Sequence, residues 1–355
     1  MTSDEKYMFR CIELARKGAG HVAPNPMVGA VLVQDDRIIG EGWHARYGEA
    51  HAEVGAVGQA RERGMTDFSA TTLYVSLEPC THFGKTPPCA DLIIRTGIPK
   101  VVIGCRDPFE AVNGKGIEKL RAAGIEVVEG ILEKECRELN KRFFTFHEKK
   151  RPYIILKWAQ TADGLMAGAS DAPRLLISNE YSTKRVHQWR SEEAGILVGT
   201  NTALQDDPEL TNRLWTGPSP ARLLLDMGLR LPASLKLFNG QQKTIIFNSI
   251  RSEERHNMIY YRLDKNKSLI SQLMEALYQL KIQSVLVEGG QQLLDTFIKS
   301  GSWDEARVIT NKSMETGAGL AAPGLKNAVL HFREQFLQDE LLTWLNASDH
   351  KNDNV

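Results

Sequence analysis

Apolar residues in the first half of the chain recur either every three or four positions, as in helices, or in short runs, as in buried strands. Residues 4–18 place Tyr7, Met8 and Cys11 on one face, which predicts a helix. The stretch GAVLVQDDRIIGEGW at 29–43 predicts two strands joined by a polar turn. Further helices are predicted at 51–63, 89–97, 116–124 and 133–143, and further strands at 71–77, 100–105 and 125–130. Strands that alternate with helices predict an α/β layered domain with both faces of the sheet covered.

The charged run HEKKRP at 147–152, closed by Pro152, predicts a domain boundary. The chain of 355 residues is also longer than a typical domain with a single hydrophobic core. We therefore expect one domain at 1–148 and another at 149–355. In the second, Asn179 is a candidate N-cap for a helix at 179–193. Strands are predicted at 153–159, 195–199, 221–226, 243–248 and 284–290, with a helix at 268–280. The second domain is therefore also predicted to be α/β.

Charge and composition narrow the possible partners. Lys and Arg balance Asp and Glu at 44 each, so no overall basic field favours nucleic acid or anionic lipid. No run reaches the roughly 18 apolar residues of a membrane helix, and the charged start MTSDEKYMFR lacks the apolar segment of a signal peptide. Five cysteines, an odd number, favour reduced thiols or metal ligands over disulfides. We expect a cytoplasmic protein that acts on a small molecule.

Three side chains in the first domain have the chemistry of zinc ligands: His51 in HAEV, and Cys80 and Cys89 in EPCTHFGKTPPCADL. Three ligands leave a fourth position open for water, as in catalytic zinc sites. Glu53 lies two residues after His51 and is suited to moving protons between that water and a leaving amine. His-x-Glu followed by two cysteines is typical of zinc deaminases of nucleobase rings, although eight residues separate the cysteines here. In the alternatives, the cysteines form a disulfide, or His51 caps a helix and both thiols are buried hydrophobes.

The segment between the two cysteines, THFGKTPP, carries groups that suit a phosphate. His82 and Thr86 offer hydrogen bonds and Lys85 a positive charge. Asn25, between two prolines, is a candidate for contacting the edge of a ring, and His44 for completing the pocket. In the alternative reading all of these are ordinary loop residues.

The motifs PNPMVGAVLV, GWHARYGEAHAE and LEPCTHFGKTPPCADLI closely resemble the deaminase half of the bifunctional riboflavin-biosynthesis deaminase–reductases, the RibD (or RibG) family. The resemblance covers nearly all of 5–145. It implies a cytidine-deaminase-like α/β/α fold, with one zinc per chain bound by His51, Cys80 and Cys89 and with Glu53 as the proton shuttle. It also implies hydrolytic loss of ammonia from a diaminopyrimidinone ribosyl phosphate.

The second domain has no Gly-x-Gly-x-x-Gly fingerprint after a strand, which argues against a Rossmann cofactor site. In EGGQQLLD at 288–295, Gly289 and Gly290 instead let the start of a helix approach a pyrophosphate. KWAQTADG and GTNTALQDDPELTNR resemble the reductase half of the same family, which implies a dihydrofolate-reductase-like fold and hydride transfer from NADPH to the ribosyl carbon. By this resemblance the cofactor is held by Ala159, Leu175, Thr202, Asp206, Gly289, Gly290, Gln291 and Gln292, and the substrate by Lys157, Arg190, Leu210, Arg213 and Glu288.

One segment departs from the family pattern. Family members commonly carry G-E-S-x-W-I ahead of the helix at 179, whereas this chain has ASDAPRLLIS at 169–178. Leu175 or Leu176 supplies apolar area but no large flat ring. We expect a bifunctional enzyme that forms a homo-oligomer. The alternatives are an active deaminase joined to a weakened or inactive reductase-like domain, and a metal-stabilised scaffold without catalysis.

Overall fold

The computed structural model describes residues 1–83, 87–169 and 175–348, and the chain forms two compact units, Met1–Lys150 and Arg151–Val355. No helix within these described residues is long and apolar enough to cross a membrane.

The first unit is built on a five-stranded sheet in the order β2-β1-β3-β4-β5. Its strands are β1 (Gly29–Gln34), β2 (Arg37–Trp43), β3 (Thr72–Leu77), β4 (Lys100–Cys105) and β5 (Glu126–Glu129). The strand β1 is antiparallel to β2 and β3, whereas β3, β4 and β5 are parallel. The helices are α1 (Ser3–Arg16), α2 (Ala52–Glu62), α3 (Cys89–Thr96), α4 (Lys115–Ala122), α5 (Glu133–Leu139) and α6 (Lys141–Lys149).

Helices cover both faces of this sheet. One apolar cluster joins α2, α3 and α4 to the sheet, and a second joins α1, α5 and α6 to the opposite face. The layered α/β prediction is confirmed, with one local difference. The single helix predicted at 133–143 is interrupted at Asn140, which separates α5 from α6.

The second unit contains a ten-stranded sheet in the order β11-β12-β10-β9-β8-β13-β6-β14-β17-β16. Its strands, with the short pair β7 and β15, are β6 (Tyr153–Thr161), β7 (Leu165–Ala167), β8 (Gly195–Gly199), β9 (Ala221–Leu225), β10 (Thr244–Asn248), β11 (Glu253–Arg255), β12 (Met258–Arg262), β13 (Ser284–Gly289), β14 (Glu305–Asn311), β15 (Leu320–Ala321), β16 (Ala328–Phe336) and β17 (Asp339–Asn346). The strands from β12 to β14 in this order are parallel, and β11, β17 and β16 are antiparallel additions.

The helices of the second unit are α7 (Glu180–Glu192), α8 (Thr200–Asp206), α9 (Leu269–Gln279) and α10 (Gln291–Ser300), with a 3₁₀ turn at Lys236–Phe238. Asn179 caps α7 as predicted, since its side chain accepts a hydrogen bond from the Ser182 N–H. One apolar cluster packs α9 and α10 on the sheet, and two others pack α7 and α8. Because β6, β8, β9 and β13 are parallel, their carboxyl ends share one edge, where open α/β sheets bind ligands.

Candidate active sites

Three candidate metal ligands meet at the starts of two helices in the first unit. His51 immediately precedes α2, Cys89 is the first residue of α3, and Cys80 lies in the loop between β3 and α3. The Nδ1 atom of His51 is 3.6 Å from Cys80 Sγ and 3.3 Å from Cys89 Sγ. All three candidate ligand atoms lie within 4.8 Å of one another. Two thiols and one imidazole at this separation fit a zinc ion with one coordination position left open.

The Cys80 thiol is placed to lose its proton. Hydrogen bonding with Cys89 outweighs burial and, together with the hydrogen bond to His51, lowers the pKa of Cys80 to about 4. The Cys89 N–H at the start of α3 also donates to Cys80 Sγ at 3.4 Å. A helix N-terminus stabilises a thiolate in this way, and the thiolate is the form that binds a metal.

Glu53 is a buried carboxyl group in the first turn of α2. Burial, followed by the negative charge of Cys80, raises the pKa of Glu53 to about 6, and the positive charge of His51 opposes this rise. A carboxyl group with a pKa near neutrality can both accept and donate a proton under physiological conditions. Glu53 is therefore a candidate proton shuttle beside the candidate metal ligands.

Asn25 and His44 lie next to this cluster and hydrogen-bond to each other. The His44 ring is 5.3 Å from the His51 ring, centroid to centroid. His44 Nδ1 is 3.1 Å from the Ala50 carbonyl oxygen, and His44 Nε2 is 3.2 Å from Asn25 Nδ2. Because a carbonyl only accepts, Nδ1 carries the hydrogen and Nε2 accepts from the Asn25 amide. Burial lowers the pKa of His44, so the neutral ring fixes the direction of the Asn25 amide.

Asn140 supports the same loop and was not identified from the sequence. Its Oδ1 accepts the Met27 N–H at 2.8 Å, and its Nδ2 donates to the Met27 carbonyl at 2.8 Å. The side chain therefore clamps the backbone two residues after Asn25. The sequence did contain one indication of this contact: Asn140 lies inside the helix predicted at 133–143, and asparagine side chains in such positions often bond to backbone groups.

His82 is exposed, and its ring lies edge-on to the Phe109 ring at 5.9 Å between centroids. Lys85 and Thr86 lie outside the described residues. Their assignment to a phosphate therefore stays a prediction.

A buried carboxylate organises the loop that follows β4. Glu78 accepts hydrogen bonds from the backbone N–H groups of Asp107 at 3.2 Å, Gly114 at 2.9 Å and Gly116 at 2.8 Å. Burial raises the pKa of the neighbouring Asp107 to about 7, against the hydrogen bond from the Phe109 N–H, and the charges of Glu78 and Cys80 add to the rise. Neither Glu78 nor Asp107 was identified from the sequence.

The first turn of α2 rests directly on a glycine of β2. A side-chain carbon built at Gly42 would overlap the carbonyl oxygen of Ala52, and one at Gly40 would overlap that of Ala56. Because Gly40 and Gly42 have no side chains, α2 can pack directly against β2, and this contact fixes the position of the turn next to His51 and Glu53.

In the second unit, Lys157, Arg190 and Glu288 form a cluster whose side chains are only 9–14% exposed. Arg190 binds Glu288 through two hydrogen bonds, from Nε to Oε1 at 2.9 Å and from Nη2 to Oε2 at 2.8 Å. Lys157 Nζ lies 3.9 Å from Glu288 Oε2. Burial alone would raise the pKa of Glu288, but the charges of Arg190 and Lys157 lower it to about 2. The cluster is thus an ionised carboxylate with two cations near the carboxyl end of β13.

The segment after α8 attaches to this cluster. Arg190 Nη1 donates to the Thr211 carbonyl at 3.1 Å, and the Arg213 N–H donates to His187 Nδ1 at 2.9 Å. Burial and the charges of Arg190 and Arg213 lower the pKa of His187 to about 4, so this ring remains a neutral acceptor. Leu210 is buried in the apolar cluster under α8. Sequence reasoning missed His187, which ties the Arg213 segment to α7.

Two of the predicted cofactor segments also meet. A side-chain carbon built at Gly290 would lie 2.9 Å from Thr202 Oγ1, so the glycine turn and α8 approach closely. Gly289 has a φ of +114°, in the region that favours glycine. Gln291 and Gln292 open α10, Asp206 ends α8, and Ala159 and Leu175 are half-buried. The start of α10 with its glycine turn fits an anionic pyrophosphate.

Asp163, in the predicted Asp-Gly motif after β6, has its carboxylate engaged by backbone. Its Oδ2 accepts the N–H groups of Thr316 at 3.1 Å and Gly317 at 2.8 Å, and its Oδ1 accepts the Thr161 hydroxyl. This motif therefore anchors the loop after β14.

Comparisons with known proteins agree with both domains. Residues 1–105 match the family model of the cytidine and deoxycytidylate deaminase zinc-binding region, and residues 152–318 match that of the RibD C-terminal domain. The riboflavin biosynthesis protein RibD of Aquifex aeolicus is 43% identical over 331 residues, covering 91% of both chains. RibD of Escherichia coli is 34% identical, covering 91% of this chain and 92% of that one.

A solved structure gives the same result for the fold. The diaminohydroxyphosphoribosylaminopyrimidine deaminase/5-amino-6-(5-phosphoribosylamino)uracil reductase of Thermotoga maritima superposes with a TM-score of 0.87 at 37% identity, covering 97% of this chain and 99% of that one. These matches confirm the expected cytidine-deaminase-like and dihydrofolate-reductase-like domains. The chain belongs to the RibD family of bifunctional riboflavin-biosynthesis deaminase–reductases.

Proposed function

We propose that this enzyme deaminates 2,5-diamino-6-ribosylamino-4(3H)-pyrimidinone 5′-phosphate in residues 1–148. Residues 149–355 then reduce the ribosyl group of the resulting 5-amino-6-ribosylaminouracil 5′-phosphate to ribityl with NADPH. The observation that carries the proposal is the convergence of His51, Cys80 and Cys89 beside the buried Glu53, in a chain that also holds the Glu288 cluster.

In the deaminase site His51, Cys80 and Cys89 would hold one zinc. Bound zinc would supply a water made acidic near neutral pH. Glu53 takes up a proton at its carboxyl oxygen and delivers it to the departing amino group. Asn25, held by His44, orients the ring edge, and His82, Lys85 and Thr86 receive the phosphate.

In the reductase site the glycine turn Gly289–Gly290, Gln291, Gln292, Thr202 and Asp206 hold the dinucleotide, with Ala159 and Leu175 as apolar contacts. Bound NADPH would supply the hydride. Lys157, Arg190 and Glu288 position the ribosyl end, while the 210–213 segment with Leu210 and Arg213 lies along the substrate. Half-buried Leu175 supplies apolar area in the segment where the family pattern implies a tryptophan, but it offers no large flat ring.

We expect the purified enzyme to contain about one zinc per chain by the three-ligand argument, and to oxidise NADPH when given 5-amino-6-ribosylaminouracil 5′-phosphate. Metal analysis measures the first quantity and the fall in NADPH absorbance the second. A folded, metal-free enzyme would refute the deaminase assignment. Ammonia release without NADPH oxidation would establish the alternative, a working deaminase joined to an inactive reductase-like domain.

We also propose a cytoplasmic homo-oligomer, supported by its five free cysteines and by the edge strand β16. An edge strand leaves backbone groups unpaired, and a two-fold axis lets two identical edges pair with each other. This edge exposes Val329, Leu330 and Phe332.

The variant Phe332→Glu should shift the enzyme towards monomers, because it places charge on an apolar edge. Phe332 is 51% exposed, and Ile250, at 53% and in the loop between β10 and β11, offers a control of equal exposure away from this edge. Sedimentation should show a smaller species for Phe332→Glu and an unchanged one for Ile250→Glu. A wild-type chain that is monomeric at micromolar concentration contradicts the proposal.

A further inference from the structure

Arg222 is a fully buried arginine in the second unit. It lies on β9, between β8 and β10 in the sheet, and is 1% exposed. Among the residues that the structure describes, no carboxylate lies within ion-pair distance of its guanidinium group. Arginine stays charged in proteins, and a buried cation without a carboxylate partner does not favour stability. The position of Arg222 therefore has to be understood from the hydrogen bonds that it donates.

These hydrogen bonds join two separate segments of the chain. Arg222 Nε donates to the Glu209 carbonyl at 2.9 Å. On its other side, Arg222 Nη1 donates to Asn239 Oδ1 at 2.8 Å and to the carbonyls of Lys236 and Leu237 at 3.4 Å each. One planar guanidinium group thus ties the segment after α8 to the 3₁₀ turn that follows β9.

A second arginine holds the same segment two residues further on. Arg190 Nη1 donates to the Thr211 carbonyl at 3.1 Å, and its Nε and Nη2 bind Glu288. Between the two bonded carbonyls lies Leu210, which is 2% exposed and has a φ of +53°. A leucine rarely adopts a left-handed conformation, which persists only where the surroundings hold it. The two arginines therefore fix Leu210 from both sides, one of them from within the Glu288 cluster.

The helix α8, which precedes this segment, has anchors that do not involve the Arg222 side chain. At the start of the helix, the Thr200 hydroxyl donates to the Leu225 carbonyl at 2.9 Å. Just after its end, Asp207 Oδ1 accepts the Lys236 N–H at 2.8 Å. The proposed dinucleotide contacts on α8 are therefore held separately from the substrate segment that follows.

We propose that Arg222 is a positioning residue of the reductase, which holds Leu210 and the Thr211 carbonyl where Arg190 and the substrate meet them. The inference rests on the proposed function and extends it to a buried residue that touches neither substrate nor cofactor. Without the bond to the Glu209 carbonyl, Leu210 is free to leave its left-handed conformation. The affinity for the substrate then falls, while the dinucleotide keeps its contacts.

The test measures NADPH oxidation by the full-length variant Arg222→Lys with 5-amino-6-ribosylaminouracil 5′-phosphate. Lysine keeps the charge, but its single nitrogen cannot bond to the Glu209 carbonyl and to Asn239 Oδ1 together. KM for this substrate should rise by about 10-fold, the effect of one lost charge-assisted hydrogen bond, with KM for NADPH within about two-fold of wild type. Because the Glu288 cluster is unchanged, kcat should fall much less than KM rises. An equal rise in KM for NADPH would overturn the inference.

Asn239→Ala is the matched control. It removes the shortest bond of Arg222 to the 3₁₀ turn but leaves the bond to the Glu209 carbonyl in place. This variant should lower the unfolding temperature of the second unit and keep the wild-type KM. An equal rise in KM for both variants would show that Arg222 acts only through stability, which would also overturn the inference.

Amide hydrogen exchange tests the same arrangement without turnover. In Arg222→Lys the backbone amides of residues 209–213 should exchange faster than in the wild type, whereas those of α8 and β9 should exchange at the wild-type rate. Unchanged exchange at 209–213 would contradict the inference even if KM rose. A wild-type chain that releases ammonia but does not oxidise NADPH would instead refute the proposed reductase function, and the exchange rates would still show whether Arg222 holds this segment.

Discussion

Replacing Glu53 with glutamine is expected to remove nearly all ammonia release while leaving zinc in place. Glutamine has the size of glutamate but cannot carry the transferred proton, and general acid–base catalysis typically contributes about 10²–10⁴-fold to a rate. The proposed ligands His51, Cys80 and Cys89 are unchanged, so metal content should equal that of the wild type. Ammonia release and metal analysis of the same sample measure both quantities.

Two controls separate chemistry from folding in this experiment. The first control is Glu62→Gln, which changes an exposed residue at the end of the same helix. This variant should release ammonia at the wild-type rate. NADPH oxidation by the Glu53→Gln chain, given the already deaminated substrate, should be unchanged. Cys80→Ala should by contrast lose the metal. A Glu53→Gln variant with the wild-type rate would remove the proton shuttle from the mechanism.

The second large effect is expected for Glu288→Gln. Glutamine leaves the charges of Arg190 and Lys157 buried without a counter-charge, and removing one partner of a buried pair typically costs about 3–5 kcal/mol. We expect loss of NADPH oxidation and a lower unfolding temperature of the second unit, with ammonia release retained. Thermal unfolding followed together with both activities measures this.

The same helix offers a matched control. Arg185 binds Glu334 with two hydrogen bonds, at 2.8 and 2.9 Å, as Arg190 binds Glu288. The Glu334 side chain is 25% exposed and that of Glu288 9%. Exposed pairs contribute about 0–1 kcal/mol, so Glu334→Gln should change stability little. Equal effects of the two variants would show that burial does not govern the Glu288 cluster.

The pH dependence of the Glu288 effect follows from its lowered pKa. The pKa is about 2 in the folded chain, against an ordinary 4.5. The unfolded state therefore takes up a proton at higher pH than the folded state does, and the stabilisation is lost as pH falls from about 4.5 towards 2. Above pH 6 the difference in stability between wild type and Glu288→Gln should be constant.

The convergence of His51, Cys80 and Cys89 could be predicted from the sequence because these residues lie in short motifs at helix starts. Each motif has a local reason: a helix begins after His51 and another at Cys89. The reductase cluster could not be assembled in this way. Arg190 and Glu288 are 98 residues apart, and they meet only because β8, β13 and β6 are neighbours in the sheet.

The last strands of the second unit also gave no usable pattern. In β16 every residue is exposed or half-buried, so apolar and polar positions do not alternate with burial. In β14 every residue is buried, including Glu305 and Arg307, whose charges resemble those of a surface segment. Arg307 Nε bonds to Glu305 Oε1 at 2.6 Å. A core strand that contains ion-paired charged residues is therefore not recognised from its hydrophobicity.

The contact between Gly42 and the Ala52 carbonyl has a consequence for how this enzyme tolerates mutation. Ala52 lies between His51 and Glu53, so the carbonyl that limits position 42 belongs to the peptide that joins Ala52 to the proposed proton shuttle Glu53. An added methyl group must displace that peptide, although it touches neither substrate nor metal. In a library of random variants, position 42 would therefore score with the catalytic residues and not with its neighbours in the strand. The activity of this domain therefore depends partly on the absence of a side chain at position 42.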